Sequence, residues 1–414
     1  MPKKIPDSLT VVFYVSGHGF GHATRVAAVI EALILRHPGT QIYVRTLAPR
    51  PIFAAAAGEN LSYDPVGLDV GVVENDVLSQ DIGATLQRWK GIFAENASLT
   101  SREMAFIINK DVDVIISDIP PLASDIGAAT ATPTIAMSNF SWDFIYEAYA
   151  TRYPAFQEVV HRLRASYEKT SLLLRLPLHH EMSAFPRQVD IPFVVRKAAS
   201  RGDELRSRLG IPEAEDGRRI ILIALRMDAQ LASSAVRELS RSNHFTILST
   251  DEIRTESDCD VHVVEPELTW SEFPSVVAMS DLVIGKLGYG LVAECIAGRT
   301  PLLSMPRRDF AEYDLLLDGC EGLLPVHVMP EHHFLTGRWH QHVDSLLAKE
   351  PSWLDVRLDG AEAAVDAIVS HAVGNHEVAP TYGYPSWPRP SSGIKSTSEA
   401  TSSWPSPPQI RNGS

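Results

Sequence analysis

The sequence predicts an α/β chain of two similar halves, each built on a parallel sheet, followed by a tail that builds no core. Three observations carry this expectation. Short apolar runs without alternation recur, each followed by a turn and a helical stretch, as for strands covered on both faces. The pattern lapses once, through Phe185-Pro-Arg-Gln-Val-Asp-Ile-Pro192 and on to about residue 200, and then restarts. From about Gly374 onward Pro, Ser, Thr and Gly replace the aliphatic residues.

In chain order, 11–16, 41–46, 112–117 and 134–137 read as strands, and 23–36 and 122–130 as helices. A helix over 203–209, stopped by Gly210, opens the second half. Strands at 220–225, 245–249, 282–285 and 301–305 follow, with helices at 232–240 and 291–298. This is βαβ grammar used twice, which implies two Rossmann-like domains, 1–195 and 196–373. Residues 374–414 are expected to be disordered, because they hold too few aliphatic side chains to offset the entropy of ordering. Its aromatic-proline segments at 382–388 and 402–405 offer docking motifs for a partner, against the simpler reading of a solvated tail.

Composition bounds the function. At 414 residues, 45% hydrophobic and 21% charged, the chain has material for two sizeable cores. Its net charge of −14, from 37 basic and 51 acidic residues, repels phosphate polymers and anionic membranes, so no nucleic-acid partner is expected. Cys259, Cys295 and Cys320 form no C-x-x-C pair, which suggests neither a disulfide framework nor a cysteine zinc site. The N-terminus shows no secretory signal and no apolar run is long enough to span a membrane, so the expected location is cytoplasmic.

Two glycine-rich loops carry the candidate chemistry. After the first strand comes Gly17-His-Gly-Phe-Gly-His-Ala-Thr-Arg25, leading into a helix. Gly19 and Gly21 let the backbone approach a ligand at a helix N-terminus, and His22, then His18, are candidate general bases near neutral pH. The spacing is not that of a dinucleotide fingerprint, and the second strand ends at Arg45-Thr46 rather than at an acid for a ribose. The second loop is Gly285-Lys-Leu-Gly-Tyr-Gly290, where Lys286 supplements a cradle of backbone N–H groups and Glu294 falls about one turn into the helix. Two cations and two acids, Arg307, Arg308, Asp309 and Glu312, follow the next strand, on the same edge of the second sheet, against the simpler reading of a solvated charged loop. Asn139, Trp142 and Asp143 follow a first-half strand and are candidates for holding an acceptor; Asp118, at the end of another, lines the same cleft or caps the next helix. His179-His180-Glu181 and His332-His333…His340-x-His342 follow no metal-ligand spacing and read as surface histidines, so no metal site is expected.

The loop 14–25, the segment Asn139-Phe-Ser-Trp-Asp-Phe-Ile-Tyr146 and the run Gly285-Lys-Leu-Gly-Tyr-Gly…Glu294…Arg308-Asp-Phe310 resemble the glycosyltransferase-like N-terminal region of plant-type L-arabinokinases and its stand-alone relatives. More distantly, the second half is similar to glycosyltransferase family 28, including the N-acetylglucosaminyltransferase of peptidoglycan synthesis. The resemblance spans roughly residues 10–370. It implies a GT-B fold, two Rossmann-like domains facing a cleft, with the acceptor on the first, a nucleotide sugar on the second, and a C-terminal helix within 351–372 crossing back. It implies no metal and no cofactor beyond the nucleotide sugar as co-substrate. By matched position, His22 resembles the family's loop histidine near the reacting centre, and Glu294 its ribose-binding acid. Lys286, Gly288, Tyr289 and Gly290 resemble its diphosphate loop, and Asp309 and Glu312 its donor-sugar contacts. Two departures stand out. Arg226-Met-Asp228 replaces a glycine pair that faces the diphosphate in relatives, so that the backbone cradle is either replaced by an arginine or lost, and the sugar-kinase half of the arabinokinases has no counterpart.

The implied reaction is glycosyl transfer from a nucleoside diphosphate sugar, a UDP-sugar by preference, to a hydroxyl, with His22 as base. The alternatives are a non-catalytic nucleotide-sugar-binding regulator, and a nucleotide-sugar hydrolase or epimerase on the same fold.

Overall fold

A computed structural model describes residues 8–54, 58–198, 202–211, 217–242, 244–253 and 261–374. The expected tail and Cys259 lie outside the described residues.

The first lobe opens with β1 (Thr10–Val15), α1 (Gly21–Arg36), β2 (Gln41–Arg45) and β3 (Leu61–Asp64). A hairpin, β4 (Val73–Glu74) and β5 (Gln80–Asp81), leads into the long helix α2 (Ile82–Asn109). Then come β6 (Val114–Asp118), α3 (Leu122–Thr130), β7 (Thr134–Ser138), α4 (Trp142–Ala150), α5 (Phe156–Tyr167), β8 (Leu172–Arg175) and β9 (Gln188–Asp190). The second lobe begins with α6 (Gly202–Arg208), β10 (Arg219–Ala224), α7 (Ala229–Leu239), β11 (Phe245–Ser249) and β12 (Val261–Val263). It continues with α8 (Pro266–Ser271), α9 (Phe273–Met279), β13 (Leu282–Gly285), α10 (Tyr289–Gly298) and β14 (Leu302–Ser304). It ends with α11 (Ala311–Gly319), β15 (Val326–Val328), α12 (Glu331–Leu335), α13 (His340–Leu347) and α14 (Gly360–Ala372).

Two parallel sheets result, one of seven strands in the order β3-β2-β1-β6-β7-β8-β9 and one of six in the order β12-β11-β10-β13-β14-β15. Val11, Val12, Phe13 and Tyr14 are all fully buried, which is why β1 shows no polar alternation. Each such side chain contributes about 1.5–3 kcal/mol of burial free energy. The strand order reverses beside the first strand of each sheet, where Val15 lies opposite Asp118 and Ala224 opposite Gly285. Crevices at such reversals are where α/β sheets bind ligands. The two Rossmann-like lobes therefore place both glycine loops at a cleft, as the fold class predicts.

The 28-residue α2 has no counterpart in the sequence reading. Its buried residues, Ile82, Thr85, Trp89, Glu103 and Ile107, include polar groups that blur an apolar stripe. Glu103 is fully buried because it is fully partnered: Arg45 donates from Nε (2.6 Å) and Nη2 (3.0 Å), and the Tyr14 hydroxyl donates at 3.0 Å. Helices α7 and α10 start at Ala229 and Tyr289, ahead of the expected 232 and 291. At α7 the reason is a cap, since Asp228 Oδ1 accepts from the Gln230 and Leu231 amides at 3.0 and 2.9 Å.

Helix α14 lies against α1, tied by Arg36 Nη2 to Asp366 at 2.6 Å and Arg36 Nη1 to the Glu362 carbonyl at 3.2 Å. Glycine is required at 360, where a Cβ would stand 2.1 Å from the Pro192 carbonyl oxygen. Among the described residues, no helix is long and apolar enough to cross a membrane.

Candidate functional site

The two lobes touch where their glycine loops meet. A Cβ on Gly290 would lie 3.0 Å from the Gly21 Cα, so the first turns of α1 and α10 approach as closely as backbone allows. Neither helix has a side-chain cap at its N-cap residue, Phe20 or Gly288. Two positive helix ends with open N–H groups therefore converge on the cleft. Gly19, with φ +65°, supplies the left-handed turn that brings the chain into α1.

His22 stands on the first turn of α1 and is buried. Its Nδ1 lies 2.8 Å from Asp118 Oδ1, across the β1/β6 reversal. Burial opposes charge on Asp118, but Arg25 and then His22 overcome it and hold the carboxyl below the usual range. His22 Nδ1 thus faces two groups of opposite demand, the Asp118 carboxylate, which accepts, and Nη2 of Arg25 at 3.0 Å, which can only donate. Arg25, one turn further along α1, donates to both Asp118 oxygens at 2.5 Å, to Asn139 Oδ1 at 3.0 Å and to Ser138 Oγ at 3.0 Å. Asn139 Nδ2 in turn donates to Glu312 Oε1 at 2.8 Å. One polar network thus runs from the His22 ring through the first lobe to α11 of the second.

Asp118, Asn139 and Trp142 are wholly buried; Asp118 meets His22 and Arg25, Asn139 meets Arg25 and Glu312, and Trp142 packs beside His22. Trp142 Nε1 donates to Asp69 Oδ2 at 2.9 Å, and its ring lies 6.1 Å from that of His22. Asp143 accepts from Arg164 Nε at 2.9 Å, on the outer side of α4. His18 does not suit a base: its Nδ1 accepts from the Val72 amide at 3.3 Å, which leaves Nε2 carrying the proton. Burial, then Arg307, His22 and Lys286, depress its pKa well below the ordinary value and keep the ring neutral. It is packed between Trp142 and Phe310, at 5.4 and 5.9 Å.

On the second lobe, Lys286 leaves the end of β13 and reaches Glu74 Oε2 of the first-lobe hairpin at 2.9 Å. Arg308 turns away, with Nη2 on Glu331 at 2.6 and 2.7 Å, and Arg307 enters the cleft in its place. Arg307 donates to Glu74 Oε1 at 2.7 Å and lies over Phe310 at 3.7 Å. Arg226 is also displaced: its side chain is 83% exposed, 3.9 Å from Asp251, and Asp228 fills the α7 N-terminus. Asp309, at φ +56°, pairs with Arg152, and its carbonyl accepts from Tyr149 Oη at 2.7 Å. Tyr289 is buried under the Arg25 guanidinium at 5.2 Å. Glu294 is buried and takes Arg196 Nε and Nη2 on Oε1 alone, at 2.9 and 2.7 Å. Burial lifts its pKa against the pull of Arg196.

Asp69 and Glu74 were not singled out from the sequence, and Arg25 and Arg307 were read only as parts of a motif. The signal for Arg25 was present, since His22 and Arg25 are three apart on one helix face. Among the described residues no group of three or more His, Cys, Asp or Glu has metal-binding geometry. The histidines at 327, 333 and 342 instead hydrogen-bond one another at 2.8–2.9 Å. His180 stacks on Phe144 at 4.0 Å and accepts from the Ser141 amide at 3.3 Å. Burial is the main cause that pushes its pKa down to about 3.

No family model matches the chain. Over 374 residues it is 29% identical to L-arabinokinase of Arabidopsis thaliana, covering 89% of this chain and 35% of that protein. The chain thus spans about a third of the length of the curated relative it matches. Among solved structures, the glycotransferase of kitacinnamycin aligns with a TM-score of 0.56 at 14% identity, covering 90% of this chain and 96% of that one. The calicheamicin glycosyltransferase CalG4 aligns with 0.54 at 14% identity, over 89% and 95%. Arabidopsis thaliana UGT89C1, complexed with UDP-L-rhamnose, aligns with 0.53 at 12% identity, over 88% and 99%. The chain accordingly has the GT-B fold of glycosyltransferases and is distantly related to plant L-arabinokinase.

Proposed function

We propose that this protein transfers a glycosyl group from a nucleoside diphosphate sugar, a UDP-sugar first, to a hydroxyl acceptor, with His22 as general base. One observation carries the reading. The His22–Asp118 pair at the reversal of one sheet faces the uncapped N-terminus of α10, with Lys286 and Arg307, at the reversal of the other. In this reading residues 1–195 hold the acceptor and 196–373 the donor.

In this reading His22 keeps its Nδ1 proton on Asp118, against the nearby Arg25 Nη2, and Nε2 takes the proton of the acceptor hydroxyl. The acceptor oxygen attacks the anomeric carbon as the bond to the diphosphate oxygen breaks, and the diphosphate leaves with the electron pair. Lys286, Arg307 and the open amides of α10 stabilise that charge, and Glu294 serves as the acid for the ribose hydroxyls. Arabinose phosphorylation is no part of the proposal, since the chain spans only 35% of the relative that bears that name. A second reading, nucleotide-sugar binding without transfer, is favoured by Arg25, which draws on both oxygens of Asp118 and lessens its pull on His22.

The test is calorimetric titration with UDP-, GDP- and ADP-sugars, followed by turnover with hydroxyl acceptors, for wild type and His22→Ala. The proposal expects saturable binding in both and turnover at least about 100-fold lower in the variant. Equal turnover in both refutes His22 as the base, binding with turnover in neither supports the second reading, nucleotide release without acceptor points to a hydrolase, and no binding refutes both proposed readings.

A further inference from the structure

The hairpin β4–β5 belongs to the first lobe by sequence but is seated in the second. Its turn is fixed by Asp76, whose Oδ1 accepts from the Leu78 and Ser79 amides at 2.7 and 2.9 Å and whose Oδ2 accepts from Ser79 Oγ at 3.0 Å. Leu78 is buried in the second lobe's core with Ile223, Ile284 and Met305, and its carbonyl accepts from the Arg308 amide at 2.9 Å. At the base of this plug Glu74 puts one oxygen on Lys286 and the other on Arg307.

Lys286 and Arg307 stand at the carboxyl edge of the second sheet, following β13 and β14, on the side of the open α10 N-terminus. Holding two cations beside a positive helix end is unfavourable without a counter-charge. Glu74 supplies that charge, yet incompletely. Arg307, with a side chain only 9% exposed and pinned over Phe310, keeps a buried Nε without a hydrogen-bond partner. A carboxylate has two oxygens, both already spent; a diphosphate offers more oxygens and more charge to the same cations.

We infer that Glu74 is an internal counter-anion that occupies the cation pair Lys286 and Arg307 until the diphosphate of a donor displaces it, freeing the hairpin from the second lobe. The inference rests on the donor-site reading above. Seating of the hairpin and binding of the diphosphate are then competing events, and linkage makes each weaken the other by the same factor.

The experiment measures binding of inorganic pyrophosphate and of UDP to the full chain by calorimetry, in wild type, Glu74→Gln and the double variant Glu74→Gln/Lys286→Ala. Glu74 is partly exposed, so the amide is accommodated without disturbing the core. The inference expects Glu74→Gln to bind both ligands about tenfold more tightly, within the usual range of coupled sites. It also expects the gain to vanish in the double variant. Hydrogen exchange over 73–81 in the wild type should accelerate when UDP is added. Equal or weaker binding by Glu74→Gln overturns the counter-anion and leaves the donor site standing, whereas no binding of either ligand by any variant overturns the donor-site reading as well.

Discussion

Replacing Asp118 by Asn removes a single charge from the centre of the first lobe while keeping its volume. In the wild type that carboxylate is fully buried and receives Arg25 on both oxygens and His22 on one. An amide offers one accepting oxygen and turns an NH2 toward a second donor, so at least one Arg25 contact becomes donor against donor. Arg25 is itself only 4% exposed, and its remaining partners, Asn139 and Ser138, are neutral. Stranding a buried charge in this way costs about 3–5 kcal/mol. Against a total stability of about 5–15 kcal/mol the variant still folds. At about 2–4 °C per kcal/mol for a unit of lobe size, its melting temperature should drop by roughly 6–20 °C. The effect has a pH signature. The pKa of Asp118 is depressed in the folded protein, so its contribution is complete above the unfolded carboxylate value, near pH 4, and fades as pH falls through the lower folded value. Calorimetric scans of both proteins from pH 7 to pH 3 should show a wide gap that narrows on the acid side. A melting temperature within 2 °C of wild type at pH 7, to within about the smallest shift a 1 kcal/mol change gives, would refute the assignment of Asp118 as the shared counter-charge.

Three further outcomes follow from the same contacts. Arg307→Ala should weaken UDP binding by about tenfold, the loss of one charged hydrogen-bonding partner, while Arg308→Ala, which removes only a surface pair with Glu331, should change it by less than about twofold. Gly290→Ala places a methyl 3.0 Å from the Gly21 Cα, backbone against backbone, and overpacking of about 1–3 kcal/mol at the lobe contact should cut donor binding or turnover by tenfold or more. Glu103→Ala leaves the Tyr14 hydroxyl without its acceptor and Arg45 with Asp64 alone as carboxylate partner, at 2.7 Å, and should cost about 3 kcal/mol, the low end for breaking a buried pair, read as an earlier denaturation transition of the buried first-lobe tryptophans Trp89 and Trp142.

The sheets were legible because burial on both faces leaves a local trace: β1, β6, β10 and β13 are near-continuous apolar runs, and each ends at a recognisable turn. The glycine loops were legible for a similar reason, since the meeting of Gly21 and Gly290 tolerates no side chain. Helix α2 was not, although Ile82, Leu86, Trp89, Ile92, Leu99 and Ile107 recur at helical spacing, because Thr85 and Glu103 interrupt its buried face and Glu103 is held there by Arg45, 58 residues away. The partners within the site were hidden in the same way: Asp118 lies 96 residues from His22, and nothing in the local pattern distinguishes a helix cap from the counter-charge of a buried histidine.

The choice between Arg307 and Arg308 turns on backbone direction. The Arg308 amide is committed to the Leu78 carbonyl, which sends its side chain to Glu331 and leaves Arg307 pointing into the cleft. That bond is made to the hairpin, the first-lobe segment that also carries Glu74. A variant that unseats the plug, Leu78→Asp, should therefore disturb the cation pair without touching either cation. The buried aspartate costs at least the lost leucine burial, about 1.5–3 kcal/mol, all of it at the lobe contact. By the competition inferred above, releasing the plug takes Glu74 off both cations, so UDP affinity should rise as in Glu74→Gln; a fall to the level of Arg307→Ala would overturn that competition and make lobe docking the source of the arginine's position.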